Sequence, residues 1–101
     1  MINREDFIFT IGYEGDVAVV DGQLKKRCRS FSTVKLAEEG MFKQAVCSAV
    51  YAGPEKRQQE LEQVLSIYNS RTENPLSSVD ELMRTFGVFE VPGDVARVMV
   101  I

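Results

Sequence analysis

Histidine is absent from this sequence of 101 residues, and so is tryptophan. Without histidine, the chain lacks the side chain that most often acts as a general base near neutral pH and most often binds transition metals. An enzyme that uses carboxylates such as Glu14 and Asp16 would remain conceivable, although no motif in the sequence brings such groups together. We therefore expect no enzymatic activity, no cofactor and no metal site.

Cysteine is scarce, since only Cys28 and Cys47 occur. Two cysteines do not make a disulfide framework, and their spacing fits no metal-binding pattern. Cys47 lies among apolar residues without a histidine to activate it, which predicts a packed thiol. No apolar run approaches the roughly 20 residues that cross a bilayer. The start of the chain carries acidic residues where an export signal carries basic ones, so we expect a cytoplasmic protein that does not associate with membranes.

The residues that are present suffice to build a core. Hydrophobic residues make up 45% of the chain and charged residues 27%, which is typical of a globular protein. The length predicts one globular domain over residues 1–101, whose core is thin enough that a partner or a second copy would add stability. The net charge of −3 falls on residues 54–101, so nucleic acid would be attracted only by a local basic surface.

Two short strands are predicted near the start of the chain. Residues 7–13 are rich in β-branched and aromatic side chains, and residues 17–20 form a short apolar run, as strands do. Gly15 between them can adopt the positive φ of a tight turn, so the two segments are expected to form a hairpin. Residues 23–29 are compatible with either a third strand or a basic helical turn.

Helical patterns fill the middle of the chain. Residues 30–32 offer a serine N-cap for a helix over residues 33–39, and Gly40 is suited to end it. A second helix is expected from about Met41 to Ala52, where Gly53 follows.

Two further helices follow. The one over residues 54–69 has the clearest pattern, because its apolar side chains recur with helical spacing. These side chains are Leu61, Val64, Leu65 and Tyr68. Ser78 and Glu81 have the spacing of a capping box, which predicts a last helix that ends at Gly87.

The end of the sequence predicts a second hairpin, with residues 88–91 and 95–101 joined by Pro-Gly-Asp. The last segment is apolar on both faces except at Arg97. Such a strand is typical of a sheet centre, or of an edge that a partner covers. We predict an α+β fold: a small mixed or antiparallel sheet from N- and C-terminal hairpins, with about four helices between them packed on one face.

Residues 33–52 have the outline of a helix–turn–helix, in which Lys43 and Gln44 would begin the second helix and contact nucleic acid. Residues 40–46 also resemble the turn between the two helices of a tetratricopeptide repeat, which has glycine, an aromatic residue and alanine at these offsets. Thr33 stands where that family has a glycine, and no second repeat follows. The resemblance implies that the two helices pack closely at Ala45.

The densest charged feature is the segment 25–29, in which four of five residues are basic. Such a segment attracts nucleic acid or acidic surfaces. The favoured hypothesis is a non-enzymatic protein–protein interaction or regulatory module, which binds an unidentified protein or a second copy of itself. The alternative is a nucleic-acid-binding protein that uses residues 33–52 with the segment 25–29. The candidate contact residues are Lys25, Lys26, Arg27, Arg29, Lys43 and Gln44.

Overall fold

The computed structural model describes residues 2–101, which contain six helices and one three-stranded sheet. The contacts divide these residues into two compact units: unit 1 comprises the chain up to Ser30 together with Val91–Ile101, and unit 2 comprises Phe31–Glu90. The predicted α+β class with a small mixed sheet is confirmed, with six helices where about four were expected. Within residues 2–101, no helix has both the length and the apolar composition that crossing a membrane requires.

Unit 1 contains the sheet. Its elements in chain order are α1 (Arg4–Ile8), β1 (Thr10–Glu14), β2 (Val17–Val20), α2 (Gly22–Cys28) and β3 (Arg97–Val100). The predicted strand over residues 7–13 is wrong at its start, because Phe7 and Ile8 belong to α1. Asn3 caps that helix by accepting a hydrogen bond from the Asp6 amide at 2.9 Å. Phe7 and Ile8, which contributed to the strand-like pattern, are buried residues of this helix.

The predicted hairpin of β1 and β2 is confirmed, and Gly15 adopts a φ of 62° in its turn. The predicted second hairpin does not form: residues 88–91 lie outside any strand, and β3 pairs in parallel with β2. β3 pairs with the free side of β2. The Ala96 amide donates a hydrogen bond to the Asp16 carbonyl at 2.7 Å and so positions the start of β3. The strand order β1-β2-β3 therefore places β3 at an edge.

The structure resolves the ambiguity of residues 23–29 in favour of the helix α2. The side chain of Asp21 accepts a hydrogen bond from the Leu24 amide at 3.0 Å and so caps the helix. The Gly22 amide donates to the Ile101 carbonyl at 3.0 Å. A Cβ atom at Gly22 would lie 2.6 Å from Val100 Cγ1, so this contact between α2 and β3 requires glycine.

Unit 2 is helical and contains the four helices predicted for the middle of the chain. They are α3 (Thr33–Glu38), α4 (Phe42–Tyr51), α5 (Pro54–Asn69) and α6 (Val79–Phe86). Ser78 caps α6 as predicted, by accepting from the Glu81 amide at 3.2 Å. The Glu81 carboxylate accepts in turn from the amide of Ser77 at 2.7 Å, one residue earlier than in a standard capping box.

The helical spacing of α5 predicted part of the core of unit 2, although Leu65 and Tyr68 of that pattern are only half-buried. Leu61 and Val64 are buried, and each contributes roughly 1.5–3 kcal/mol of transfer free energy. Three aromatic rings from different helices pack together, with centroids 5.1 to 6.4 Å apart; they belong to Phe42, Tyr68 and Phe86. Ala45 is fully buried and α3 packs on α4, which agrees with the close packing that the repeat resemblance implied.

Candidate interaction surfaces

The outer edge of β3 is the most exposed apolar feature of unit 1. The exposed fractions are 37% for Val98, 45% for Met99, 56% for Val100 and 66% for Ile101. Within residues 2–101, β2 lies on one side of β3 and no strand lies on the other. Exposed apolar residues at an open sheet edge make this edge a candidate surface for association.

The backbone of β3 also has groups directed towards this open edge. The amides of Arg97 and Ile101 donate to carbonyls of Asp16 and Val20 on the β2 side. Because alternate residues of a strand bond to the same neighbour, the amide and carbonyl groups of Val98 and Val100 point the other way. These two residues can therefore supply the hydrogen bonds that an added strand would need.

One face of the sheet is fully covered over β2 but only partly covered over β3. Ala18 and Val20 are fully buried, and α1 packs against β2. The register pairs these residues with Val98 and Val100, so the four side chains share one face. The exposure of Val98 and Val100 therefore shows that this face is only partly covered over β3, where Gly22 at the start of α2 approaches the Val100 side chain.

The opposite edge of the sheet differs from β3. The register of β1 is irregular between Thr10 and Gly12, and Glu14 at the end of β1 is exposed. Bulges and charged residues at an edge oppose the addition of further strands. Although Ile11 and Tyr13 are exposed on β1, this edge is thus less suited to pairing than β3.

The predicted basic segment lies on α2, but its four cations do not act alike. Lys25 is half-buried, and its Nζ lies 2.6 Å from Oδ1 of the buried Asp6. Lys25 therefore ties α2 to α1, whereas Lys26, Arg27 and Arg29 are exposed. The sequence interpretation missed Arg4, whose Nη1 approaches the Arg29 carbonyl at 3.4 Å; only the fold brings this distant residue to the cluster. We call Arg4, Lys26, Arg27 and Arg29 the basic surface.

The predicted contact residues of the helix–turn–helix lie in unit 2. Lys43 is exposed and Gln44 is half-buried in the first turn of α4. The next six residues, Ala45–Val50, are all buried. This helix therefore offers little more than its first turn to a partner, whereas a DNA-reading helix presents polar side chains along its length.

A polar cluster joins three helices of unit 2. Thr33 Oγ1 donates to the Glu60 carboxylate and lies 2.6 Å from Ser48 Oγ. The cluster borders a shallow depression of about 310 Å³ between α3 and α5. Because Thr33 and Ser48 are buried and bonded to each other, they serve to fasten α3 and α4 together.

The cysteines and the two candidate catalytic carboxylates lie in different environments. Cys28 and Cys47 are buried free thiols, and burial raises the pKa of Cys47 to about 11. Cys47 is therefore the packed, protonated thiol that the sequence predicted. Glu14 and Asp16 are exposed at the hairpin turn. In residues 2–101, no group of three or more histidine, cysteine, aspartate or glutamate side chains could hold a metal ion.

Comparisons with protein-family models, with curated proteins and with solved structures found no match to this chain.

Proposed function

We propose that this protein is a non-enzymatic interaction module of the cytoplasm, which binds another polypeptide by adding a strand to β3. The observation that carries the proposal is the run of four exposed apolar residues, Val98–Ile101, at an open sheet edge. Strand addition takes its affinity from backbone hydrogen bonds and its specificity from the alternating side chains. The edge of β3 offers both.

The energetic argument rests on two contributions. Burying an exposed aliphatic side chain contributes roughly 1.5–3 kcal/mol for complete burial, and the side chains of Val98, Met99 and Val100 are only partly covered. Each backbone hydrogen bond adds about 0.5–1.5 kcal/mol net. The immobilisation of a partner opposes these gains, so we expect reversible binding.

The test uses short synthetic peptides of alternating valine and threonine as strand donors. We expect chemical-shift changes of backbone amides on binding to concentrate at Val98–Ile101 and to be lost in Val98→Pro, which removes an outward N–H without breaking the β2 ladder. Val98→Thr keeps the N–H and the branched shape, so it is the matched control. If neither a peptide nor a second copy of the chain binds at β3, the proposal fails.

A second candidate function is nucleic-acid binding through the basic surface. The supporting observation is that Arg4 lies beside Arg29, where it joins three exposed cations of α2. Cations in the last turn of a helix also stabilise its carbonyl end, so their presence alone does not require a ligand. A basic surface that binds phosphates gives an affinity that falls steeply with salt.

Retention on single- and double-stranded DNA at low salt tests this second candidate. The triple change of Lys26, Arg27 and Arg29 to alanine should abolish retention and reduce the salt dependence. Lys43→Ala is the matched control, because it removes an exposed cation from α4. Absence of retention for the unaltered chain would exclude this function.

A further inference from the structure

We infer that the strand added to β3 comes from a second copy of this chain, so that two β3 strands pair antiparallel and form one continuous six-stranded sheet. This inference rests on the proposed function, because it identifies the partner of the same edge. The two edges of the sheet support it. The bulge and Glu14 make β1 a poor partner for β3, whereas a second β3 has the same open edge.

The direction of the backbone groups sets the register of the pair. In an antiparallel ladder, hydrogen bonds are exchanged between residues whose amide and carbonyl groups both point towards the partner. Val98 and Val100 are those residues, so Val98 of each copy lies opposite Val100 of the other. Met99 then lies opposite its own counterpart on the two-fold axis, between the two hydrogen-bonded pairs.

The side chains fit the same register. Val98 and Val100 share one face of the sheet, so their pairing keeps the faces of the two copies continuous. Arg97 lies opposite Ile101 of the other copy, and the two Arg97 side chains are at opposite ends of the strand pair. A parallel, in-register pair would instead place Arg97 against Arg97, and like charges directly opposite each other are destabilising.

The size of the interface predicts a weak, closed dimer. The segment Arg97–Ile101, which comprises β3 and the residue after it, is about 17 Å long, and such a pair buries less than the roughly 800 Å² per partner of a standard interface. A two-fold pair uses up both β3 edges and so stops at two copies. We expect a monomer–dimer equilibrium in the micromolar range.

Sedimentation measurements over a range of concentrations test the inference. The unaltered chain should shift from monomer to dimer, Val98→Pro should weaken the dimer by at least about tenfold, and Val98→Thr should leave it within about threefold. Circular dichroism confirms that each variant is folded. A dimer that Val98→Pro leaves unchanged would overturn the inference.

Cross-linking tests the register and does not depend on the proline variant. Directly opposite residues of an antiparallel pair have Cβ atoms about 5 Å apart, near the spacing of a disulfide, so Met99→Cys should cross-link. The two thiols form the disulfide by losing two electrons and two protons to oxidised glutathione, which becomes two reduced molecules. Ile101→Cys is the control, because its counterparts would be about 14 Å apart. Cys28 and Cys47 are buried.

The outcomes separate the inference from the proposed function. If the chain stays monomeric and Met99→Cys does not cross-link, while a valine–threonine peptide still binds at Val98 and Val100, the second copy is excluded and the interaction module stands. If the peptide also fails to bind, both are excluded. Cross-linking of Ile101→Cys in preference to Met99→Cys would overturn the register and with it the inferred pairing.

Discussion

Unit 2 buries or half-buries nearly all of its large apolar side chains, whereas unit 1 leaves part of its sheet exposed. The four helices of unit 2 bury a continuous apolar core, and Ser32 and Ser78 cap two of them. Among the described residues, every exposed large apolar side chain except Phe89 belongs to unit 1. The comparison places nearly all of the exposed apolar surface of the described residues in unit 1, where the proposed binding edge lies.

The largest effect is expected from a change in the core of unit 2. Leu61→Ala removes a buried side chain from α5 and should lower the free energy of unfolding by about 2–5 kcal/mol. Val98→Ala is the comparison in unit 1, where the side chain is partly exposed and the loss should stay below about 1 kcal/mol. Urea denaturation at low protein concentration measures both. Equal losses would contradict the distinction between the units.

A smaller effect is expected where α2 meets β3. Gly22→Ala would place a Cβ atom 2.6 Å from Val100 Cγ1 and 2.9 Å from the Ile101 carbonyl oxygen, so β3 must shift, at about 1–3 kcal/mol. Amide hydrogen exchange should quicken in β3 while unit 2 stays protected. Gly93→Ala is the control, since a Cβ there meets no atom within 4 Å. Unchanged protection of β3 in the Gly22 variant would show that the close contact is unimportant.

Loss of the ion pair between α1 and α2 should lower the stability of the protein by an intermediate to small amount. Lys25→Met leaves the buried carboxylate of Asp6 without its partner, which should destabilise unit 1 by about 1–2 kcal/mol because Lys25 is partly exposed. Lys26→Met removes an exposed cation and should change stability by less than about 0.5 kcal/mol. Thermal unfolding compares the two variants. If Lys26→Met were the more damaging, the structural assignment of Lys25 would be incorrect.

The smallest change in stability is expected at the start of α6. Hydrogen bonds from Ser77 to the exposed Glu81 carboxylate lower the pKa of Glu81 from 4.5. A lowered pKa means that this carboxylate stabilises the fold above about pH 4.5, and that the contribution is lost as the pH falls through the folded-state pKa. Glu81→Gln should therefore be less stable than the unaltered chain at pH 7, and the difference should shrink as the pH falls through the lowered pKa of Glu81. A difference independent of pH would contradict this account.

Local features of the fold were predictable from the sequence, and distant pairings were not. Ser78 is a capping signal within a few residues of the amide that it bonds, whereas Asp21, which caps α2, is followed by Gly22 and so equally fits a hairpin turn. The parallel pairing of β2 and β3 joins segments far apart in sequence, so no local pattern predicts it. Asn3 did carry a capping signal, but the aromatic residues after it favoured a strand in our interpretation.

In the candidate sites, too, local features were predictable from the sequence, and features that depend on distant contacts were not. The apolar character of the last strand was visible in the sequence, and it led to the expectation of either a sheet centre or an edge covered by a partner. The structure supplies the edge position and the directions of the backbone groups. Lys25 could not be separated from its basic neighbours by sequence, because its ionic partner Asp6 lies in another helix.

The parallel pairing of β2 and β3 has a consequence for the order of folding. The connection between β2 and β3 runs from Val20 to Arg97 and contains all of unit 2. The helical unit therefore emerges from the ribosome before β3 does. Helical segments with nearby contacts fold quickly, while an isolated two-stranded hairpin is only marginally stable. Nascent chains should therefore form unit 2 first, and the open edge of β3 should form in one of the last steps of folding.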